Sequence, residues 1–153
     1  NLYTNGKVCL SMLTTWNGPG WAPTNTISNV IVAIQALVLN KYPLQNEPGY
    51  ENAIIEELEK YNDIIVFSNY KITILDQINV GLKEKFKNFN STIKMIFLKN
   101  YELLENNLKK LIIEKDGKYV HNQAYNMSMN LDYNELHKYF KITRVRLLVE
   151  NNK

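Results

Sequence analysis

The chain has 153 residues, 18 basic and 15 acidic side chains, a formal net charge of +3, and 45% hydrophobic against 22% charged residues. That is one domain's worth of soluble globular sequence or a piece of a larger protein, and the mild charge, with no arginine-rich stripe or dense lysine block, argues against a nucleic-acid partner. Its one cysteine, Cys9, excludes an internal disulfide, and His121 and His137 lie too far apart, without ligands at metal spacing, to suggest a zinc site.

No apolar run approaches the roughly 18–20 residues of a membrane span, so no membrane partner is expected. "ISNVIVAIQALVL" is the longest run, interrupted by Ser28, Asn29 and Gln35. The start lacks the basic-then-apolar order of a secretory leader, and the expected location is cytoplasmic or nuclear. Residues 1–25 are dense in turn formers ("TNGK", "NGPGW", "APTN") and read as loop. Thr26 can cap a helix that places Ile27, Val30, Ile31, Ile34, Leu37 and Val38 at 3–4 spacing. Its β-branched content fits a deeply buried helix, and "KYPLQNEPGY" ends it.

A second helical stretch is expected from about Glu51 to Tyr61. A third holds Ile64, Ile65, Phe67, Ile72, Ile74, Leu75 and Ile78, with Gly81 as its stop. From Leu82 to Ile113 runs a long amphipathic stretch, breakable near "NFNS". Its apolar stripe is Phe86, Phe89, Ile93, Ile96, Phe97, Tyr101, Leu104, Leu108 and Leu111, read as core packing. "EKDGKYV" reads as a hairpin or tight turn on Asp116-Gly117. A last element starts near Asp132 or Asn134. The residues present are therefore mainly α-helical.

A lone cysteine is ordinarily a small hydrophobe. Cys9 instead lies between Val8 and Leu10 in a loop-rich segment, outside any helical stripe, and a reactive thiol there needs partial exposure and polar company. "GPG" lacks the spacing and subsequent Lys-Ser/Thr of a phosphate loop and reads as a turn.

"NLYTNGKVCLSML", the "W-A-P" at Trp21 and the helix from Thr26 together resemble the active-site region of the ubiquitin-conjugating enzymes. Asn1 matches the last residue of that family's His-Pro-Asn motif. Gly6, Val8, Cys9 and Leu10 match the cysteine segment, and Trp21, Pro23 and Thr26 match the family's Trp-x-Pro and the start of its next helix. "TTWNGPG", "NEPGYE", "YND" and the late "LDYNELHKYFKITRVRL" resemble members with a C-terminal extension, the Z-type in particular. The resemblance covers most of the chain and is firmest over residues 1–51.

The resemblance implies an α+β UBC-like fold for the complete domain. It assigns residues 1–80 to the C-terminal part of the catalytic domain and residues 81–153 to a helical extension. The family's first helix and four-stranded sheet precede the His-Pro-Asn motif. They are not among these residues, so exposed apolar faces are expected and activity of these residues alone is in doubt. The implied chemistry needs no cofactor or metal. Cys9 would accept ubiquitin as a thioester from an activating enzyme and pass it to a lysine of a substrate protein, usually held by a ligase. Asn1 would support the oxyanion or the loop, and Glu47 would position the lysine. Ala22 and Pro23 would contact ligases, while Trp21 reads as a core anchor. Open alternatives are a ubiquitin-like modifier in place of ubiquitin, and a non-catalytic scaffold or ubiquitin-binding module. A Cys-His protease is disfavoured because nothing around His121 or His137 resembles a protease signature.

Overall fold

The structure is a computed structural model that describes residue 3 and residues 5–151. Asn1 lies outside the described residues. The chain divides into two compact units, residues 1–62 and 63–153.

In the first unit, Thr26 caps α1 (Ile27–Ala33) as its sequence suggests. The Asn29 N–H donates to Thr26 Oγ1, and the Thr26 N–H donates to Asn29 Oδ1 at 2.7 Å, a reciprocal box that satisfies two otherwise orphaned donors. The helix widens into a π-helical segment, Ile34–Val38. One stripe of it, Val30, Ala33, Ile34 and Val38, packs with Val8, Leu10, Met12 and Leu13 in one small cluster. The deeply buried helix is not what forms: Ile27, Ile31, Val32 and Leu37 face solvent. The helix is apolar nearly all round, and among the described residues it has a partner on one stripe only. Pro43–Asn46 then makes a short 3-10 turn with Leu44 fully buried.

The two helical stretches expected at 51–61 and 64–78 are one continuous run: α2 (Ile55–Ser68), a π-helical segment (Asn69–Asp76) and α3 (Gln77–Val80). The wider turn explains the join. Tyr70 and Leu75 are both buried although five residues separate them, a spacing that would send them to different faces of a regular α-helix. Gly81, at φ 87°, stops the run, its N–H donating to the Gln77 carbonyl at 3.1 Å.

A 3-10 segment (Glu84–Phe89) leads into α4 (Asn90–Lys115), so the break falls at "NFNS". Phe97, Tyr101 and Leu108 are buried, whereas Phe86, Phe89 and Ile96, assigned to the same stripe, are exposed. A single helical period would keep them together, but the change from 3-10 to α geometry at Asn90 rotates Phe86 and Phe89 off the stripe. Asp116-Gly117 is a tight turn from helix to strand, with Gly117 at φ 72°. The hairpin's own turn comes later, between β1 (Tyr119–Asn122) and β2 (Met127–Asn130), which pair antiparallel with Tyr119 opposite Asn130. α5 (Tyr133–Asn151) is capped by Asp132, whose Oδ1 accepts from the Glu135 N–H at 2.8 Å.

Antiparallel α4 and α5 close the core of this second unit. Phe140, fully buried, meets Phe97 at 4.9 Å, Tyr101 at 5.1 Å and Tyr70 at 6.1 Å between ring centroids. Tyr70 also donates its hydroxyl to the Leu104 carbonyl at 3.1 Å, so the ring cluster has few unpaired polar groups.

Candidate functional site

The segment around Cys9 is built from turns, and hydrogen bonds hold it. Backbone bonds tie Tyr3 to Gly6 and Lys7: the Gly6 N–H donates to the Tyr3 carbonyl at 2.9 Å, and the Tyr3 N–H to the Lys7 carbonyl at 3.0 Å. Thr15 then braces the backbone on both sides of the cysteine. Its hydroxyl donates to the Val8 carbonyl at 2.5 Å and accepts from the Leu10 N–H at 3.0 Å. The "NGPG" turn folds back on the residues after Cys9. A Cβ added at Gly18 would meet Ser11 Cβ at 2.9 Å, and Gly18 adopts φ 132°, so only glycine suits this approach.

Cys9 itself is buried, with 4% of its surface exposed. The partial exposure expected of a reactive thiol is absent. Its polar company is Tyr3. The Cys9 charge, then the Glu47 carboxylate, then a hydrogen bond with the Cys9 side chain raise the Tyr3 phenol above its ordinary 10. The phenol therefore stays protonated and acts as a donor toward sulfur. Tyr3 is half exposed.

Glu47 lies in the loop after α1 and is only 8% exposed. Two turns fix its backbone: its N–H donates to the Leu44 carbonyl at 3.0 Å and its carbonyl accepts from Tyr50 at 3.1 Å. Its charge is felt at Tyr3 and also at Tyr61, whose phenol is raised first by burial and then by Glu47. Beside it, Asn46 Nδ2 is buried with no hydrogen-bond partner. Cys9 and Glu47 thus both act on the Tyr3 phenol.

Ala22 and Pro23 start a surface turn closed by the Asn25 N–H on the Ala22 carbonyl at 2.9 Å, with Pro23 exposed. Trp21 is 50% exposed and is not a core anchor among the described residues. Sequence reasoning missed Tyr3 and Thr15. The only signal was local, a hydroxyl-bearing residue on each side of the cysteine within six positions. Among the described residues no group of three or more His, Cys, Asp or Glu side chains could hold a metal, and no helix is long and apolar enough to cross a membrane.

The model of the family described as ubiquitin-conjugating enzyme matches residues 1–65, a segment that contains Cys9, Tyr3 and Glu47. Ubiquitin-conjugating enzyme E2 Z of Danio rerio is 36% identical over 106 residues, covering 69% of this chain and 32% of that protein. The Homo sapiens E2 Z is 40% identical over 79 residues, 51% of this chain and 22% of that protein. A probable ubiquitin-conjugating enzyme E2 25 of Arabidopsis thaliana is 54% identical over 57 residues, 35% of this chain and 9% of that protein. The chain spans about a third or less of the length of these relatives. Its mainly helical architecture with one small hairpin fits the later, helical part of the family's domain, and the chain belongs to the ubiquitin-conjugating enzyme family, in which it is similar to the Z-type members.

Proposed function

We propose that this chain carries the thioester-forming cysteine of a cytoplasmic or nuclear ubiquitin-conjugating enzyme, and that Cys9 is that residue. The observation that supports the reading is the position of Cys9 inside the family match, with Cys9 and the Glu47 carboxylate both acting on the Tyr3 phenol.

In the proposed reaction the Cys9 thiolate attacks the carbonyl of ubiquitin's C-terminal thioester on an activating enzyme. The tetrahedral oxyanion collapses and expels the activating enzyme's thiolate. A substrate lysine ammonium gives one proton to water, and the free amine attacks the Cys9 thioester, its nitrogen losing a second proton to water as the tetrahedral species collapses. An isopeptide bond forms and Cys9 leaves as thiolate. Tyr3, held protonated, donates to the sulfur in both its attacking and its leaving state. Glu47 draws the lysine ammonium in and orients it, and its burial strengthens that attraction. Asn1 offers an amide donor to the oxyanion. The exposed Ala22–Pro23 turn is the contact for a ligase. Because Cys9 is buried, the thiol must be uncovered before it attacks.

That same burial favours a second reading, a non-catalytic scaffold in which Cys9 only packs. The test is a thioester assay on the full-length protein with ATP and a panel of activating enzymes, each with ubiquitin or a ubiquitin-like modifier. A reductant-sensitive adduct, converted in Cys9→Ser to a reductant-resistant oxyester, is expected. No adduct with any pair would leave the scaffold reading, and an adduct with another modifier alone would replace ubiquitin in the proposal.

A further inference from the structure

The chain holds three pairs in which Asn or Asp precedes Gly: Asn5-Gly6, Asn17-Gly18 and Asp116-Gly117. Such pairs are prone to close a ring on themselves, because glycine has no Cβ to shield its backbone nitrogen from the side chain before it. Hydrogen bonds decide which pair reacts. The attacking nitrogen must give up its proton, and the side chain must be free to swing over it. At Asn5-Gly6 both groups are held. Asn5 Oδ1 accepts from the Lys7 N–H at 3.0 Å, and the Gly6 N–H donates to the Tyr3 carbonyl at 2.9 Å. At Asp116-Gly117 both are held as well. Asp116 Oδ1 accepts from the Asn134 N–H at 2.9 Å, and the Gly117 N–H donates to the Leu131 carbonyl at 2.9 Å. Asn17 and Gly18 are both exposed, and neither the Asn17 side chain nor the Gly18 N–H has a hydrogen-bond partner among the described residues.

We propose that Asn17 is a site of spontaneous deamidation, the one pair of the three that the native fold leaves unguarded. The Gly18 nitrogen gives its proton to hydroxide and attacks Asn17 Cγ. The amide C–N bond breaks, and the nitrogen leaves as ammonia after taking a proton from water. A succinimide ring remains. Water adds to either ring carbonyl and opens it to aspartate or isoaspartate. The product puts a negative charge into the span between Lys7 and Lys41, which otherwise has no charged side chain. The isoaspartate form also lengthens the main chain beside Gly18, where one added Cβ would already meet Ser11 Cβ at 2.9 Å. The reaction belongs to the turn alone and does not depend on the role of Cys9.

The test ages the full-length protein in mildly alkaline buffer at physiological temperature. A parallel sample is held in guanidinium chloride, where the native hydrogen bonds of both Asn-Gly pairs are lost. Each is digested at acid pH and mapped by mass spectrometry, with electron-transfer fragmentation to separate aspartate from isoaspartate. Asn17 is expected to convert at a similar pace in the native and denatured samples. Asn5 is expected to convert in denaturant and to be slowed at least about tenfold in the native protein, because two hydrogen bonds must open first. Asn17→Gln, at an exposed position without partners, should keep the fold and lose the native signal, since the longer side chain closes a larger ring more slowly. Protection of Asn17 in the native protein would overturn the proposal. So would conversion of Asn5 at the same native pace, or a native signal from this turn that survives in Asn17→Gln.

Discussion

Residues 63–153 pack a large core of rings and aliphatic side chains, whereas the apolar cluster described in residues 1–62 is small, with Leu10, Ala33 and Val38 as its buried members. Hydrophobicity alone does not account for the contrast. Between Lys7 and Lys41 there is no charged or histidine side chain at all, and α1 is apolar on nearly every side. The second unit is rich in Lys and Glu, yet its apolar residues fall on stripes that face one another across α4, α5 and the run from Asp63 to Val80. Burial is therefore set by how well stripes find partners. The unit with the larger packed core holds itself by packing, and the unit that carries Cys9 holds its cysteine by turns, a bracing hydroxyl and glycine geometry.

The largest effect expected from breaking this comparison is Phe140→Ala. Phe140 touches three rings and has no exposed surface, so its loss removes both burial and ring contacts. A cost of about 3–5 kcal/mol is expected, read as a lower denaturation midpoint of the second unit. Thiol reactivity of Cys9 in native buffer should change little. A cost under about 1 kcal/mol would mean that the ring cluster is not what holds the unit.

Next comes Gly18→Ala, which strikes the other kind of stabilisation. Ala must take φ 132° and place Cβ against the Ser11 side chain. Strain of about 1–3 kcal/mol should appear locally, as faster labelling of Cys9 by a thiol reagent with the second unit's unfolding unchanged. If labelling is not faster, the folded-back turn does not guard the cysteine.

The elements legible in the sequence are those with local chemical punctuation. Thr26 at the start of α1, Gly81 at the end of α3, the Asp116-Gly117 turn and Asp132 before α5 all act through one side chain or one backbone angle. Features that depend on distant partners are not legible there. The continuous run through Asn69–Asp76 needs a π-helical turn whose spacing imitates a break in periodicity. β2 reads "MSMN", with no β-branched or aromatic residue to mark it, and forms because β1 supplies its hydrogen bonds. At the candidate site, the cysteine and Glu47 can be picked out by resemblance. Tyr3 and Thr15 cannot, since their roles come from the fold of the turns around Cys9.

The smallest of the expected effects concerns pH, and it belongs to the second unit alone. Glu105 on α4 accepts from Lys109 at 3.0 Å and from the Tyr101 hydroxyl at 2.8 Å, and lies 3.1 Å from His137 Nε2 on α5. Lys109, then His137 and Tyr101, lower its carboxyl from an ordinary 4.5 to about 2, against the opposing effect of burial. A carboxyl whose folded value is depressed favours the folded state once it is ionised. Its contribution is therefore fully present above about 4.5 and is lost as pH falls toward 2. Unfolding midpoints measured from pH 6 to pH 2 should drop less steeply for Glu105→Gln than for the parent, and the gap should narrow in high salt. Subtracting the two curves removes Glu56 and Glu150, which are also lowered and titrate in the same region. The cluster joins α4 to α5 and shares no group with the turns that hold Cys9, so labelling of Cys9 in Glu105→Gln should keep the pH dependence of the parent. A change there would show that the two units exchange stability.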